Sequence, residues 1–285
     1  DILWRALVPG LVWFLFVSGS QLSGGQALTL TAALLGLALI LQVLAARWRQ
    51  YHNLVGFSGL KDYLAKRGGA TRWFLAGTVL DSAALNFDIV LVGLLVAVEA
   101  AGIYFNAFRT AGLLTLFMFA ITLVIAPMVA KHYHAGELRR AQAITTFCAW
   151  AGFLFSVAVF IGFVFFGDLI LSLFGATYTE GYLVLIILSV GLLMDAATGP
   201  TRIVMMMTGH ERQYVTIFGA VIGAGILLQI AVIPLFGILG AAVVNAGARI
   251  VAQVAIAWWT HRHVGIDTSL LGLAALFGPK ARAQG

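Results

Sequence analysis

The chain is 285 residues long, 61% hydrophobic and only 10% charged, with a mean hydropathy of +1.00, which excludes a water-soluble globular domain. Its formal net charge of +6 points to anionic headgroups rather than to nucleic acid, because most of the 17 Lys and Arg fall in alternate loops between apolar runs. A single cysteine, Cys148, leaves no raw material for an internal disulfide or a Cys-based metal site.

Eight apolar runs follow one another along the chain, at residues 2–17, 27–46, 73–97, 107–130, 144–166, 182–207, 215–233 and 240–260. A helix needs about 20 apolar residues to cross the hydrocarbon, and these runs are helix-length rather than the alternating ten-residue segments of a barrel. The expected fold class is all-α, a polytopic bundle of about eight transmembrane helices. Arg5 followed by a short apolar stretch and Ser18-Gly19-Ser20 also has the outline of a secretory signal. Pro9, Trp4, Trp13 and the absence of an initiator Met argue instead that the chain begins partway through a longer protein. Between the second and third runs, Val55, Phe57, Leu60, Tyr63 and Leu64 define an apolar face with Lys61 and Lys66 outside it, as in an interfacial linker helix over 51–72.

The loops set a topology. Arg47, Arg49, Lys61, Lys66, Arg67 and Arg72 share one loop, Lys131, Arg139 and Arg140 the next but one, and Arg212, then Arg262, Lys280 and Arg282, the later alternates. Loops 18–26, 98–106, 167–181 and 234–237 hold no Lys or Arg. The positive-inside rule places the basic loops and the C-terminus in the cytoplasm. Tryptophans such as Trp73, Trp150, Trp258 and Trp259 near run ends fit an aromatic belt.

Ionisable residues inside the runs are expensive and mark candidate sites. Asn245, Arg249 and Gln253 recur every fourth residue, forming one polar stripe with Arg249 near mid-membrane. Asp195 and Arg202 lie seven apart around Gly199-Pro200, a pair that breaks or hinges the sixth run. Asp81 and Asp88 are likewise seven apart, where neutralising arginines, binding a coupling H+ or Na+, and contacting sugar hydroxyls compete as roles. An ion pair between Asp195 and Arg249 competes with a cavity-lining role for both. Arg109 near the end of the fourth run either lines a cavity or snorkels to the headgroups. A guanidinium suits a diphosphate because its planar fork donates paired hydrogen bonds and stays charged. His132 with His134, and His261 with His263, lack zinc-ligand spacing, so no metal is expected; no Walker loop is present, so neither is ATP hydrolysis.

The later runs resemble the polysaccharide and lipid-linked oligosaccharide flippases, relatives of the multidrug and toxin extrusion transporters within one superfamily of exporters. The resemblance rests on Ala101-Gly102-Ile103-Tyr104 leading to Ala107-Phe108-Arg109, Ala126-Pro127 with Tyr133 and Gly136-Glu137, and Phe174-Gly175 with Tyr178. It continues through Gly191, Thr198-Gly199-Pro200, Met207-Thr208-Gly209-His210-Glu211-Arg212, Ile233-Pro234-Leu235-Phe236-Gly237 and Gly240-Ala241-Ala242. Such proteins resemble two six-helix bundles facing a central cavity. The resemblance implies that residues 1–50 are the last two helices of the first bundle, 51–72 a cytoplasmic linker, 73–262 the second bundle and 263–285 a cytoplasmic tail. It also implies that about four N-terminal helices are absent, and that a polyprenyl-diphosphate-linked glycan is moved across a bacterial cytoplasmic membrane. Arg109 is the position onto which the family's Tyr-x-x-Ala-x-Arg pattern carries over.

The implied cavity residues are thus Arg249, Arg109, Asn245, Gln253 and Arg202, with Asp88, Asp81 and Asp195 in ion coupling or charge pairing and Gly199-Pro200 as hinge. The implied partners are the lipid-linked glycan, anionic lipids, a polysaccharide polymerase and glycosyltransferases, with no nucleic acid and no cofactor beyond H+ or Na+. A multidrug or organic-cation antiporter is the alternative, disfavoured by three intramembrane arginines. An integral-membrane enzyme acting on polyprenyl lipids comes last, since no loop shows paired carboxylates.

Overall fold

The computed structural model describes residues 57–277 and Gly36; the expected runs 2–17 and 27–46 otherwise lie outside the described residues. Contacts divide the chain into residues 1–68 and 69–285, and the architecture below is that of the second unit. Its described residues are helical, without a strand among them, and the protein is an all-α polytopic membrane bundle.

Helix α1 is Phe57–Leu95, so the third expected run and the described residues of the expected linker, from Phe57 on, are helical. Gly68 and Gly69 cost a helix only about 1 kcal/mol each and remove no backbone donor, unlike a proline. Extended backbone at Ala97 (φ −167°, ψ 158°) then ends this direction, and α2, Val98–Ala111, starts with Glu99 in its positive first turn. Residues 98–106, expected as a loop, are therefore helical. A 3-10 turn, Gly112–Thr115, links α2 to α3, Leu116–His134, and the two form a single apolar stretch of 37 residues, Val98–His134. At 1.5 Å per residue that is about 55 Å, well beyond the hydrocarbon thickness.

Helix α4 is Leu138–Ser172, longer at both ends than its apolar run because turns carrying Arg139, Arg140 and Gln142 at one end and Asp168 and Ser172 at the other continue the helix. A 3-10 turn, Ala176–Gly181, leads into α5, Tyr182–Thr198, and after the Gly199-Pro200 break α6 occupies Thr201–Met207. Helix α7, Glu211–Val264, is 54 residues long but contains Gly237 in a left-handed, non-helical conformation (φ 59°, ψ −143°). The chain doubles back there, since a side chain at Gly225 would touch Ala248. The arms before and after Gly237, α7a and α7b, account for the two expected runs and their tight turn. A short helix, α8, Gly272–Phe277, follows.

The main core joins α1, α2, α4, α5 and α7 through Val92, Tyr104, Leu114, Leu171, Leu185 and Ile233. Small residues allow the closest approach: a Cβ on Gly191 of α5 would lie 3.0 Å from the Ala246 backbone of α7b. Outside, Leu94, Phe165, Leu227 and Leu235 are exposed, a surface that only lipid or an apolar partner accommodates.

Candidate functional site

A cavity of about 660 Å³ opens between the α2–α3 junction, the α5–α6 break and α7b. That volume lies within the range of small-molecule sites. Its wall is mostly apolar, with Phe108, Leu113, Leu116, Phe119 and Leu192, and its charged members are Arg109, Arg202, Arg249 and Asp195, with Gln253 beside them.

The break explains how two charges seven residues apart come to serve different partners. Pro200 has no N–H, and Gly199 takes φ 70°, where its amide bonds back to the carbonyls of Asp195 and Ala196. Asp195, in the last turn of α5, faces α7b, and Arg249 Nη1 donates to its Oδ2 at 2.8 Å. Both side chains are largely withdrawn from solvent, 15% exposed for Arg249 and 17% for Asp195. Gln253 faces the same carboxylate, whose Oδ1 accepts no hydrogen bond of good geometry. Beyond the break, Arg202 turns toward α1, where its Nη2 lies 2.6 Å from Asp81 Oδ2. Tyr214 of α7a donates to Asp81 Oδ1 at 2.7 Å and lies under the Arg202 guanidinium.

Arg109 is different. It is exposed to the cavity and its guanidinium stacks 5.0 Å from the Phe105 ring centroid, with no carboxylate partner among the described residues. Of the three cavity arginines it alone remains uncompensated by a described carboxylate.

Asp88 lies outside the large cavity. It is 2% exposed, its Oδ2 accepts from the Tyr104 hydroxyl at 2.8 Å and from Asn245 Nδ2 at 2.5 Å, and both donors are neutral. A separate small cavity of about 20 Å³, room for one water-sized species, adjoins Asp88, Asn245, Gln229 and Arg249. Gln229 is buried there and its Oε1 has no partner. The polar stripe on α7b thus serves two places: Gln253 and Arg249 reach the large cavity, and Asn245 and Arg249 the small one.

Tyr214 and Gln229 escaped sequence reasoning, and Tyr104 entered it only as part of a motif and not as a partner of Asp88. Tyr104 lies 16 residues from Asp88 and Tyr214 133 from Asp81, so no local spacing reveals them. The only available signal is that a buried carboxylate needs donors, which phenol hydroxyls supply. The histidine pairs bind elsewhere: His132 Nδ1 meets Glu137 at 2.6 Å and His134 Nε2 reaches the Met207 carbonyl at 3.2 Å. Among the described residues no group of three or more His, Cys, Asp or Glu is gathered to hold a metal ion.

Fold and cavity together define a polytopic α-helical membrane protein with a mostly apolar cavity that carries three arginines. Over 208 residues the chain is 25% identical to a protein of Haloferax volcanii named the probable low-salt glycan biosynthesis flippase Agl15. The similarity covers 68% of this chain and 43% of that protein, so the chain spans less than half the length of the curated relative it matches. The likeness is to a transporter and not to an enzyme. No protein-family model matches the chain, and no solved structure does.

Proposed function

We propose that the protein is a flippase whose cavity accepts the diphosphate of a polyprenyl-linked glycan and carries it across the membrane by alternating access. The observation that carries this reading is the charge of the cavity wall: of its three guanidiniums Arg249 is held by Asp195 and Arg202 by Asp81, while Arg109 is free of any described acidic partner and leaves the wall net positive. Such a wall attracts phosphate oxygens and repels organic cations, which weighs against the antiporter alternative. The apolar remainder of the wall suits a lipid-borne substrate. The similarity to a glycan biosynthesis flippase supports the same class of cargo.

Ion coupling belongs to this reading as well. Arg249 is matched by Asp195, and Arg202 by Asp81, so the Asp88 carboxylate has only the neutral donors Tyr104 and Asn245 as hydrogen-bond partners. Arg249 lines the same small cavity but its hydrogen bond goes to Asp195, so a carboxylate charge held at that depth by neutral donors is costly, and one H+ or Na+ arriving at Asp88 beside the unpaired Gln229 oxygen offsets it. The orientation proposed is C-terminus inside.

The test is reconstitution of the protein, from its complete reading frame, into liposomes carrying a fluorescent polyprenyl-diphosphate oligosaccharide in one leaflet. Protein-dependent loss of glycan accessibility to an added glycosidase is the expected result. Uptake of ethidium without movement of the glycan lipid would support the antiporter instead.

A further inference from the structure

After α7b the chain does not leave the bundle. Gly265 adopts φ 78°, and residues 265–271 fold back as a strap against α4, α5 and α6. Ile266 is fully buried beside Val129, Ala141 and Val204. Gln142 of α4 holds the strap at a single residue by two bonds: its Nε2 donates to the Asp267 carbonyl at 2.5 Å and its Oε1 accepts from the Asp267 amide at 2.7 Å.

Trp150 of α4 donates from Nε1 to the Leu270 carbonyl at 3.2 Å, and further bonds go to the two sides of the α5–α6 break. In an unbroken helix the Ala197 carbonyl receives the Thr201 amide; here that amide donates to Gly199 at 2.8 Å. The Ala197 carbonyl instead accepts from the Leu270 amide at 3.0 Å. The Thr201 hydroxyl pairs with that of Thr268 at 2.9 Å. Gly199 itself has no room for a Cβ, because the Thr268 carbonyl and the Ala149 methyl fill the space. A carbonyl freed by the break, a hydroxyl beyond it and the glycine within it all meet the same strap.

We propose that this strap, clamped by Gln142, is a positioning element for the cavity: it fixes the α5–α6 break in the geometry that presents Asp195 and Arg202 to the cavity wall. The proposal rests on reading that cavity as the transport site, yet its principal test does not involve transport.

The test is hydrogen exchange of the purified, membrane-reconstituted protein from its complete reading frame, comparing wild type with Gln142→Ala. Loss of both clamp bonds is expected to speed exchange about tenfold in residues 194–207 as well as in the strap, while α2 keeps its protection. Thr268→Val keeps the side-chain shape and removes only the bond to Thr201, so it reads out the same pattern if Gln142→Ala does not insert. Acceleration confined to residues 265–272 would mean that the strap merely rests on the bundle, and acceleration spread evenly through α2 would mean a general loss of stability; either overturns the proposal. If the wild-type protein moves no diphosphate-linked lipid but the exchange pattern holds, the transport reading fails and the positioning role stands. Transport with exchange confined to the strap rejects the positioning role alone.

Discussion

Replacing Arg249 separates the two roles that its position allows. Its bond to Asp195 is 2.8 Å long between side chains only 15% and 17% exposed, so Arg249→Ala leaves a carboxylate desolvated with Gln253 as its remaining polar neighbour. Removing one partner of such a pair costs about 3–5 kcal/mol, most of it the penalty of the stranded charge. The double change Arg249→Ala with Asp195→Ala removes that penalty and is expected to recover most of the lost thermal stability, measured by unfolding of the detergent-solubilised protein. Transport behaves differently. A charge-assisted hydrogen bond to a phosphate is worth about 1.5–3 kcal/mol, which corresponds to a roughly ten- to hundredfold loss in affinity. Neither variant regains it, and Arg249→Lys, which keeps the charge but not the fork, retains an intermediate rate. Recovery of full transport by the double variant would refute the reasoning and reduce Arg249 to a structural ion pair.

Arg109→Ala, which breaks no described ion pair, is expected to leave stability within about 0.5 kcal/mol of wild type, while raising the KM for the diphosphate lipid about tenfold; an unchanged KM would contradict it. Asp88→Asn keeps an oxygen to accept from Tyr104 and Asn245, so the protein is expected to fold normally yet lose its dependence on a proton or sodium gradient. Unaltered gradient dependence would remove Asp88 from coupling. In the turn between α3 and α4, hydrogen bonds from His132 and then Arg140 hold the Glu137 carboxyl below the usual glutamate range. Its contribution is therefore complete above the ordinary value of about 4.3 and is lost as pH falls through the lowered one. Glu137→Gln is expected to flatten the acid limb of the melting-temperature profile, and an identical limb in both proteins would contradict the assignment.

Much of this was legible in the sequence because lipid imposes simple rules. Apolar run length marks spans, and the Gly199-Pro200 break was readable from the missing proline donor and the conformational freedom of glycine. Four-residue spacing put Asn245, Arg249 and Gln253 on one stripe, and the Asp195–Arg249 pair was one of two alternatives left open. Helix ends were less legible. Residues 98–106 contain Glu99 and Asn106 and read as a loop, but a charged residue in a first turn favours a helix as much as a loop. The division of labour among the acids was hidden, since Asp81 and Asp88 share a face of α1 yet meet Arg202 and Asn245, partners set only by the packing of distant helices. Residues 263–285 read as a cytoplasmic tail, and nothing local reveals that Gln142, 125 residues before Asp267, holds it.

The central claim is that the diphosphate of the glycan lipid enters the cavity bounded by Arg109 and Arg249, and photo-crosslinking tests it most directly. A benzophenone amino acid replaces Leu116 in the cavity wall or, as the control, Phe165 on α4, which is 75% exposed and lies outside the cavity lining. The account predicts that a polyprenyl-diphosphate oligosaccharide is captured from position 116, that excess unlabelled lipid competes, and that Arg109→Ala removes the capture, while position 165 gives only background. Equal capture from the two positions, or capture at 116 that survives loss of Arg109 and yields to an organic cation, would contradict it.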